Sequence, residues 1–253
     1  MKKTILMFAA AALLLATPSC KKGENDPFLS LSSRKARISN EWVVTNISST
    51  YTDLDSDGDS WSQTATFDGT TRTVVSSNTS GGTTVSNTYT YTFSDYSITI
   101  EKDGTWSMSQ AYTYSEDDDW SWPGYTTTDA HSVTITSSGS WSFVGKEKDA
   151  YKGKERVLLN TLNFTWTDNV TSTTKNDGTG NVVDTQTSSN SSTDVEAHGQ
   201  DVMVYDIDML KGKEMVWMES YDGNDSNSNT YGSTTTTTSS TYTGSNTMTL
   251  EQK

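Results

Sequence analysis

The sequence has almost no sulfur nucleophile to work with: Cys20 is the only cysteine in 253 residues. A single cysteine excludes an internal disulfide and a cysteine-rich metal site. Histidine is nearly as scarce, with His131 and His198 far apart and without a local partner. No Gly-x-Ser-x-Gly, no His-Glu-x-x-His and no phosphate-cradling glycine loop occurs, so the common hydrolase, metalloprotease and nucleotide signatures are missing. Apolar residues make up only 32% of the chain, which predicts a thin core built on aromatics that bury large areas each. Basic charge is also short. The net charge is −14, which argues against nucleic acid and against docking on anionic headgroups. No stretch carries helical periodicity of useful length; the nearest candidate is a single turn at Asp206–Leu210.

What is present begins with a leader. Met1-Lys2-Lys3 is a short basic start, Ile5 to Ala16 is an apolar run too short to span a bilayer, and Thr17-Pro18-Ser19 are small residues leading to Cys20. This order is similar to the site at which bacterial lipoproteins are cut and acylated, except that Thr17 stands where leucine is usual. The expectation is a lipoprotein signal over 1–19, lipidation of Cys20 and a lipidated tether over 20–40. The alternative is an ordinary signal peptide with an unpaired thiol. Removing residues 1–19 takes away Lys2 and Lys3 and no acid, which moves the net charge to −16. Each buried methylene contributes about 0.8 kcal/mol, so two or three acyl chains hold firmly where one is marginal. Membrane contact is therefore expected through acyl chains on Cys20, at the bacterial outer membrane, facing the periplasm or the surface. Glu24 and Asp26 are similar to the acidic mark that sends lipoproteins of one bacterial phylum to the outer face.

From Glu41 the pattern turns to period two with Val, Ile, Thr and aromatics, as strands require. Trp42, Val44, Asn46 and Ser48 fall on one face, and Val43, Thr45 and Ile47 on the other. Val85, Asn87, Tyr89, Tyr91 and Phe93 alternate; so do Ile98 and Ile100, and Met215, Trp217 and Glu219. Asp68-Gly69 and Asp103-Gly104 mark tight turns. Gly104-Thr105-Trp106-Ser107 is echoed by Gly139-Ser140-Trp141-Ser142. Residues 171–199 predict a long hairpin, and the Ser/Thr/Asn/Gly run at 222–240 reads as a solvated linker. The expected architecture is all-β: an antiparallel meander of about 8–10 strands closed as a barrel, with a β-sandwich as the alternative. One domain covers 41–253. Closure is favoured because it removes exposed sheet edges.

Two motifs suggest sites. Asp53, Asp55, Asp57 and Asp59 alternate around Gly58 as in the first half of a calcium loop, but Thr64 occupies the closing position; the other reading is a plain acidic loop. Trp120, Trp122 and Tyr125 lie in an acidic Pro-Gly loop. They could form a platform for a glycan or a small hydrophobic ligand, or fold back to plug a barrel end.

The run Cys20-Lys21-Lys22-Gly23, the strand Glu41-Trp42-Val43-Val44, the hairpin Asp103-Gly104-Thr105-Trp106 and the segment Ile207 to Met215 together resemble the lipocalin-like lipoproteins of Bacteroidetes. The resemblance implies a calycin-type barrel on a lipid anchor and carries over no catalytic residue. The expected function is a non-catalytic, lipid-anchored envelope protein with a binding or surface-structural role. The alternatives are a glycan or small-ligand binding module, or an envelope hydrolase. No cofactor is expected beyond the possible calcium, and no nucleic acid.

Overall fold

A computed structural model describes residues 33–118, 122–144, 155–196, 201–231 and 234–253. The chain is all-β. Its strands are β1 (Glu41–Asp55), β2 (Ser60–Phe67), β3 (Thr71–Ser80), β4 (Thr83–Ile100), β5 (Thr105–Asp117), β6 (Tyr125–Val144), β7 (Glu155–Asn176), β8 (Val182–Val195), β9 (Asp201–Leu210), β10 (Glu214–Tyr231) and β11 (Thr234–Gln252). Ten of them close an antiparallel barrel in the order β6-β5-β4-β3-β2-β1-β11-β10-β9-β7, with β7 returning to β6. The eleventh, β8, pairs with β7 beyond the reach of β9.

The barrel changes strand number along its axis. At the lower end the β2–β3 hairpin has already turned, and Glu41–Val43 of β1 pair directly with Ser97–Thr99 of β4. The lower ring is therefore β1-β4-β5-β6-β7-β9-β10-β11. Higher up, β2 and β3 widen the wall between β1 and β4. Both flanking strands carry a bulge at this junction, at Thr45 in β1 and at Ser94 in β4. A bulge re-phases a strand by one residue. Ile47 therefore joins Trp42 and Val44 in the core instead of facing away from them as strict alternation predicted. By the same shift Phe93 and the later pair Ile98 and Ile100 all point inward. Gly69, at φ +95°, lets the β2–β3 turn lie against the Thr45 carbonyl, 3.4 Å from where a Cβ would stand.

The expected tether does not run to residue 40. Arg34–Ile38 form a helical turn, α1, whose N-cap Ser33 accepts from the Ala36 amide at 3.1 Å. Ile38 is fully buried in the core, Arg34 pairs with Glu155, and Arg37 donates to the Leu210 carbonyl. α1 thus closes the lower end. Five residues were too few to show a helical period. Asp206–Leu210, the nearest helical candidate by sequence, is strand. The 222–240 run is also strand wherever described, because β10 and β11 pair across it from Glu214 to Tyr231. The described part of the 171–199 segment, through residue 196, forms the expected long hairpin, β7 to β8.

The lower half is solid. Trp42, Trp106, Trp141 and Trp217 pack there with Phe67, Val157, Leu159, Ile207 and Leu250. Three of the indoles satisfy their N–H on backbone carbonyls: Trp42 on Ile38 at 2.8 Å, Trp106 on Asn160 at 3.2 Å, and Trp141 on Glu101 at 2.8 Å. The Gly-x-Trp-Ser echo is thereby explained. Gly104, at φ +100°, makes the β4–β5 turn, and Gly139 lets β6 press against β7, so each glycine delivers a tryptophan to the same plug.

Candidate ligand site inside the barrel

The strand registers order the inner wall above this plug into levels, about 7 Å apart because inward residues recur every second position. Phe67, Ile47, Met248 and Trp217 form the floor. The next level is Ala65, Ser49, Asn246 and Glu219, which are short or polar. Above it come Gln63, Tyr51, Gly244 and Tyr221, then Trp61, Asp53, Tyr242 and Gly223.

Tyr51 is the centre of the ring cluster. Its centroid lies 5.1 Å from Trp61, 6.1 Å from Tyr221 and 6.4 Å from Tyr242. Two glycines make room. A Cβ on Gly223 would fall 2.3 Å from the Tyr242 hydroxyl, and one on Gly244 2.4 Å from the Tyr221 ring. Each tyrosine lies across a glycine of the opposite strand, an arrangement that lets a ring cover the sheet face. Desolvation, then the neighbouring Asp53, push the Tyr51 hydroxyl above its ordinary pKa. Desolvation raises the Glu219 carboxyl.

The opposite wall, on β3–β7, is also aromatic. Tyr91, Phe93, Tyr112 and Tyr114 form a connected set with centroids 4.9–6.4 Å apart. His131 stacks on Tyr114 at 4.3 Å and 7°. Its Nδ1 lies 2.8 Å from Asp168, which is only 5% exposed, and its Nε2 lies 3.5 Å from Glu116. Burial first, and then the charges of Glu116 and Asp168, push the Tyr114 hydroxyl up to about 12. A cavity of about 210 Å³ opens on this wall, lined by Gln63, Arg72, Val74, Tyr91, Phe93 and Tyr112. Two wider depressions, about 290 and 480 Å³, lie across β4–β7 and are lined mainly by Ser, Thr and Asn of the outer face. They are troughs between short outward side chains, whereas the inner cavity is walled by rings.

The sequence-predicted residues fall elsewhere. Cys20 and Trp120 lie outside the described residues. Trp122 is 80% exposed and Tyr125 37%, at the tip of the β5–β6 connection, where the Tyr125 amide donates to the Trp122 carbonyl at 2.9 Å. Trp122 therefore does not plug the barrel mouth, because the turn carries its ring away from the interior. The four aspartates do not converge. Asp53 faces the barrel interior, and Asp57 accepts weakly from the Asp59 amide at 3.4 Å. Asp59 turns to the β3–β4 turn, accepting from Ser80 at 2.6 Å and from the Gly81 amide at 3.0 Å, bonds that hold its carboxyl below the ordinary range. Gly58 does supply the sharp bend, at φ +92°. Among the described residues no group of three or more His, Cys, Asp or Glu is placed to hold a metal ion.

Sequence reasoning missed the Tyr51 cluster and the His131–Asp168 pair. A signal existed for the first. Tyr221-Asp222-Gly223 and Tyr242-Thr243-Gly244 repeat Tyr-x-Gly, and an antiparallel pairing sets each tyrosine against the other's glycine. No signal existed for the second, since 37 residues separate its members. No family model matches the chain, and no curated protein or solved structure matches it either.

Proposed function

We propose that this is a non-catalytic, lipid-anchored binding protein of the bacterial cell envelope, which takes a small ligand into the open half of its barrel. The observation that carries the reading is the contrast between the two halves. The lower interior is filled by tryptophans and aliphatics, while the upper interior is lined by rings and polar groups around a hollow. A purely structural barrel has no use for rings held over glycines above a finished core. Convergent aromatic walls with a few polar groups are the usual character of small-molecule sites. The anchor and the location rest on the leader and Cys20, whose order supports acylation. His131 packs flat against Tyr114 with its Nδ1 held by Asp168, which fixes the ring as part of the inner wall.

The test uses the full chain in maltoside micelles. Saturation-transfer NMR with phenol, 3,3-dimethylbutanol and methyl β-glucoside is expected to give saturable binding for at least one probe. Tyr91→Trp, which fills the cavity, should abolish it. Absence of saturable binding for all three would overturn the reading. The anchor is tested separately, by fractionation and mass spectrometry of the wild type beside Cys20→Ser. The wild type should pellet with membranes and carry acyl mass on Cys20. An unmodified Cys20 would remove the anchor.

A further inference from the structure

We propose that the cavity on the β2–β5 wall receives a small organic monoanion, a carboxylate on a short apolar body, with its charged end on Arg72. This rests on the binding reading above and names the ligand class for the cavity that reading uses.

The placement of Arg72 comes first. The eleven strands contain three basic residues, Arg72, Arg156 and Lys175. Arg156 alternates with the buried Val157 and faces outward, and Lys175 is exposed. Arg72 alone faces inward, paired with Phe67 on one side and Tyr91 on the other, both interior rings. Its Nε is buried without a hydrogen-bond partner, and among the described residues no ion pair satisfies its charge. The nearby acids do not supply the missing partner. Asp168 is held by His131 Nδ1 at 2.8 Å, and Glu116 lies 3.5 Å from Nε2 of the same ring, with Asp129 across from it. Asp53 stands on the Trp61 row, three rows above the Phe67–Arg72 row, and Glu219 is on β10, four strands round the wall. A cation kept partly from water without a partner is costly, and a carboxylate that reaches it removes that cost.

The cavity gives an anion the room to reach it. Its volume of about 210 Å³ is bounded by Gln63, Arg72, Val74, Tyr91, Phe93 and Tyr112. At about 30 Å³ for each water in the liquid, that space suits a single ring or a short branched body rather than a long acyl chain. Phe93 lies 4.9 Å from Tyr112, and Tyr91 meets Tyr112 edge-on at 5.8 Å and 88°, so three rings and Val74 wall the apolar part. The polar groups beside them are donors: the guanidinium, the Gln63 amide and the tyrosine hydroxyls. Burial and then Tyr91 push the Tyr112 hydroxyl up against an opposing pull from Arg72, which keeps it protonated and able to donate. A planar guanidinium matches a carboxylate with two parallel N–H bonds, and the bare Nε is one arm of that fork. A phosphate dianion would bring two charges to a wall with one base. A neutral sugar would leave that base without a counter-charge, and an ammonium group would be repelled by it.

The experiment compares 3,3-dimethylbutanoate with 3,3-dimethylbutanol, which carries the same branched body without charge, on the full chain in maltoside micelles at pH 7 by saturation-transfer NMR and calorimetry. The carboxylate is expected to bind at least about tenfold more tightly. Arg72→Met, which keeps the stem and removes the charge, should weaken the carboxylate about tenfold and leave the alcohol within about twofold. Arg72→Lys, which keeps the charge and loses the fork, should fall between the two. Lys175→Gln, on the outer face, should change neither probe, which separates the site from general attraction to a base. Equal affinity of the wild type for carboxylate and alcohol would overturn the assignment, as would a preference that survives in Arg72→Met. With the alcohol still bound, either result would leave the binding reading standing. Loss of every probe in the wild type would overturn both.

Discussion

Gly139→Ala should be among the most damaging single-methyl additions in this chain. Gly139 sits where β6 crosses the Leu162 bulge of β7, paired with Trp106 on one side and Thr161 on the other. A Cβ there would stand 1.9 Å from the Asn160 carbonyl oxygen, 2.9 Å from its carbon and 3.0 Å from the Leu162 amide nitrogen. All three are backbone atoms, so no rotamer change relieves the clash. The strands must separate by more than an ångström, next to Trp106 and Trp141 in the solid half of the barrel. Overpacking of this kind costs about 1–3 kcal/mol, and each ladder bond lost adds about 1 kcal/mol. A total near 3 kcal/mol corresponds to about 6–12 °C in Tm at this chain length. Gly212→Ala is the internal control, since no atom lies within 4 Å of its Cβ and its φ is ordinary for an L-residue. Near-ultraviolet circular dichroism of the tryptophans follows both melts. A Gly139→Ala melt within about 2 °C of wild type would refute the close-approach argument.

Two further outcomes are expected. Ile38→Ala should cost about 2–5 kcal/mol, as deletion of a fully buried aliphatic does, measured by urea unfolding; a loss below 1 kcal/mol would mean that α1 is not part of the core. Acid titration should separate two groups of carboxylates by sign. Asp68 and Asp103 accept from turn amides and hydroxyls, which lowers their folded pKa, so their contribution is present above the unfolded value near 3.9 and is lost as pH falls through the folded one. Glu219, raised by burial, acts oppositely and favours the folded state more as it protonates. Melting Asp68→Asn and Glu219→Gln from pH 3 to 7 should flatten the acid limb in the first and raise neutral-pH stability in the second; the reverse pattern would contradict the assignment.

Much of the barrel was legible because a half-buried strand leaves a two-residue period. Met215, Trp217 and Glu219 share a face as read, and the Asp-Gly pairs at 68 and 103 mark real turns, with the glycine alone taking positive φ. Legibility stopped at the bulges. Period two carries no mark of an inserted residue, so Ile47 was assigned to the wrong face of β1. It stopped again at 222–240, where composition reads as linker. Serine and threonine satisfy a strand whose partner, here β11 against β10, supplies the ladder. The candidate sites fared worse. The acidic motif at 53–59 is contiguous in sequence but dispersed by strand alternation, which turns Asp53 inward, while Asp59 is held by the next turn.

The chain by itself determines an all-β protein with aromatic weight in its core and a net negative charge. These follow from composition and local period, which act over a few residues. The closure of the lower end by α1, the narrowing where β2 and β3 turn back, and the meeting of Tyr51 with Tyr221 and Tyr242 were decided only by tertiary structure. Each depends on register between strands distant in sequence, and a register is set by which faces can be buried together rather than by any one strand.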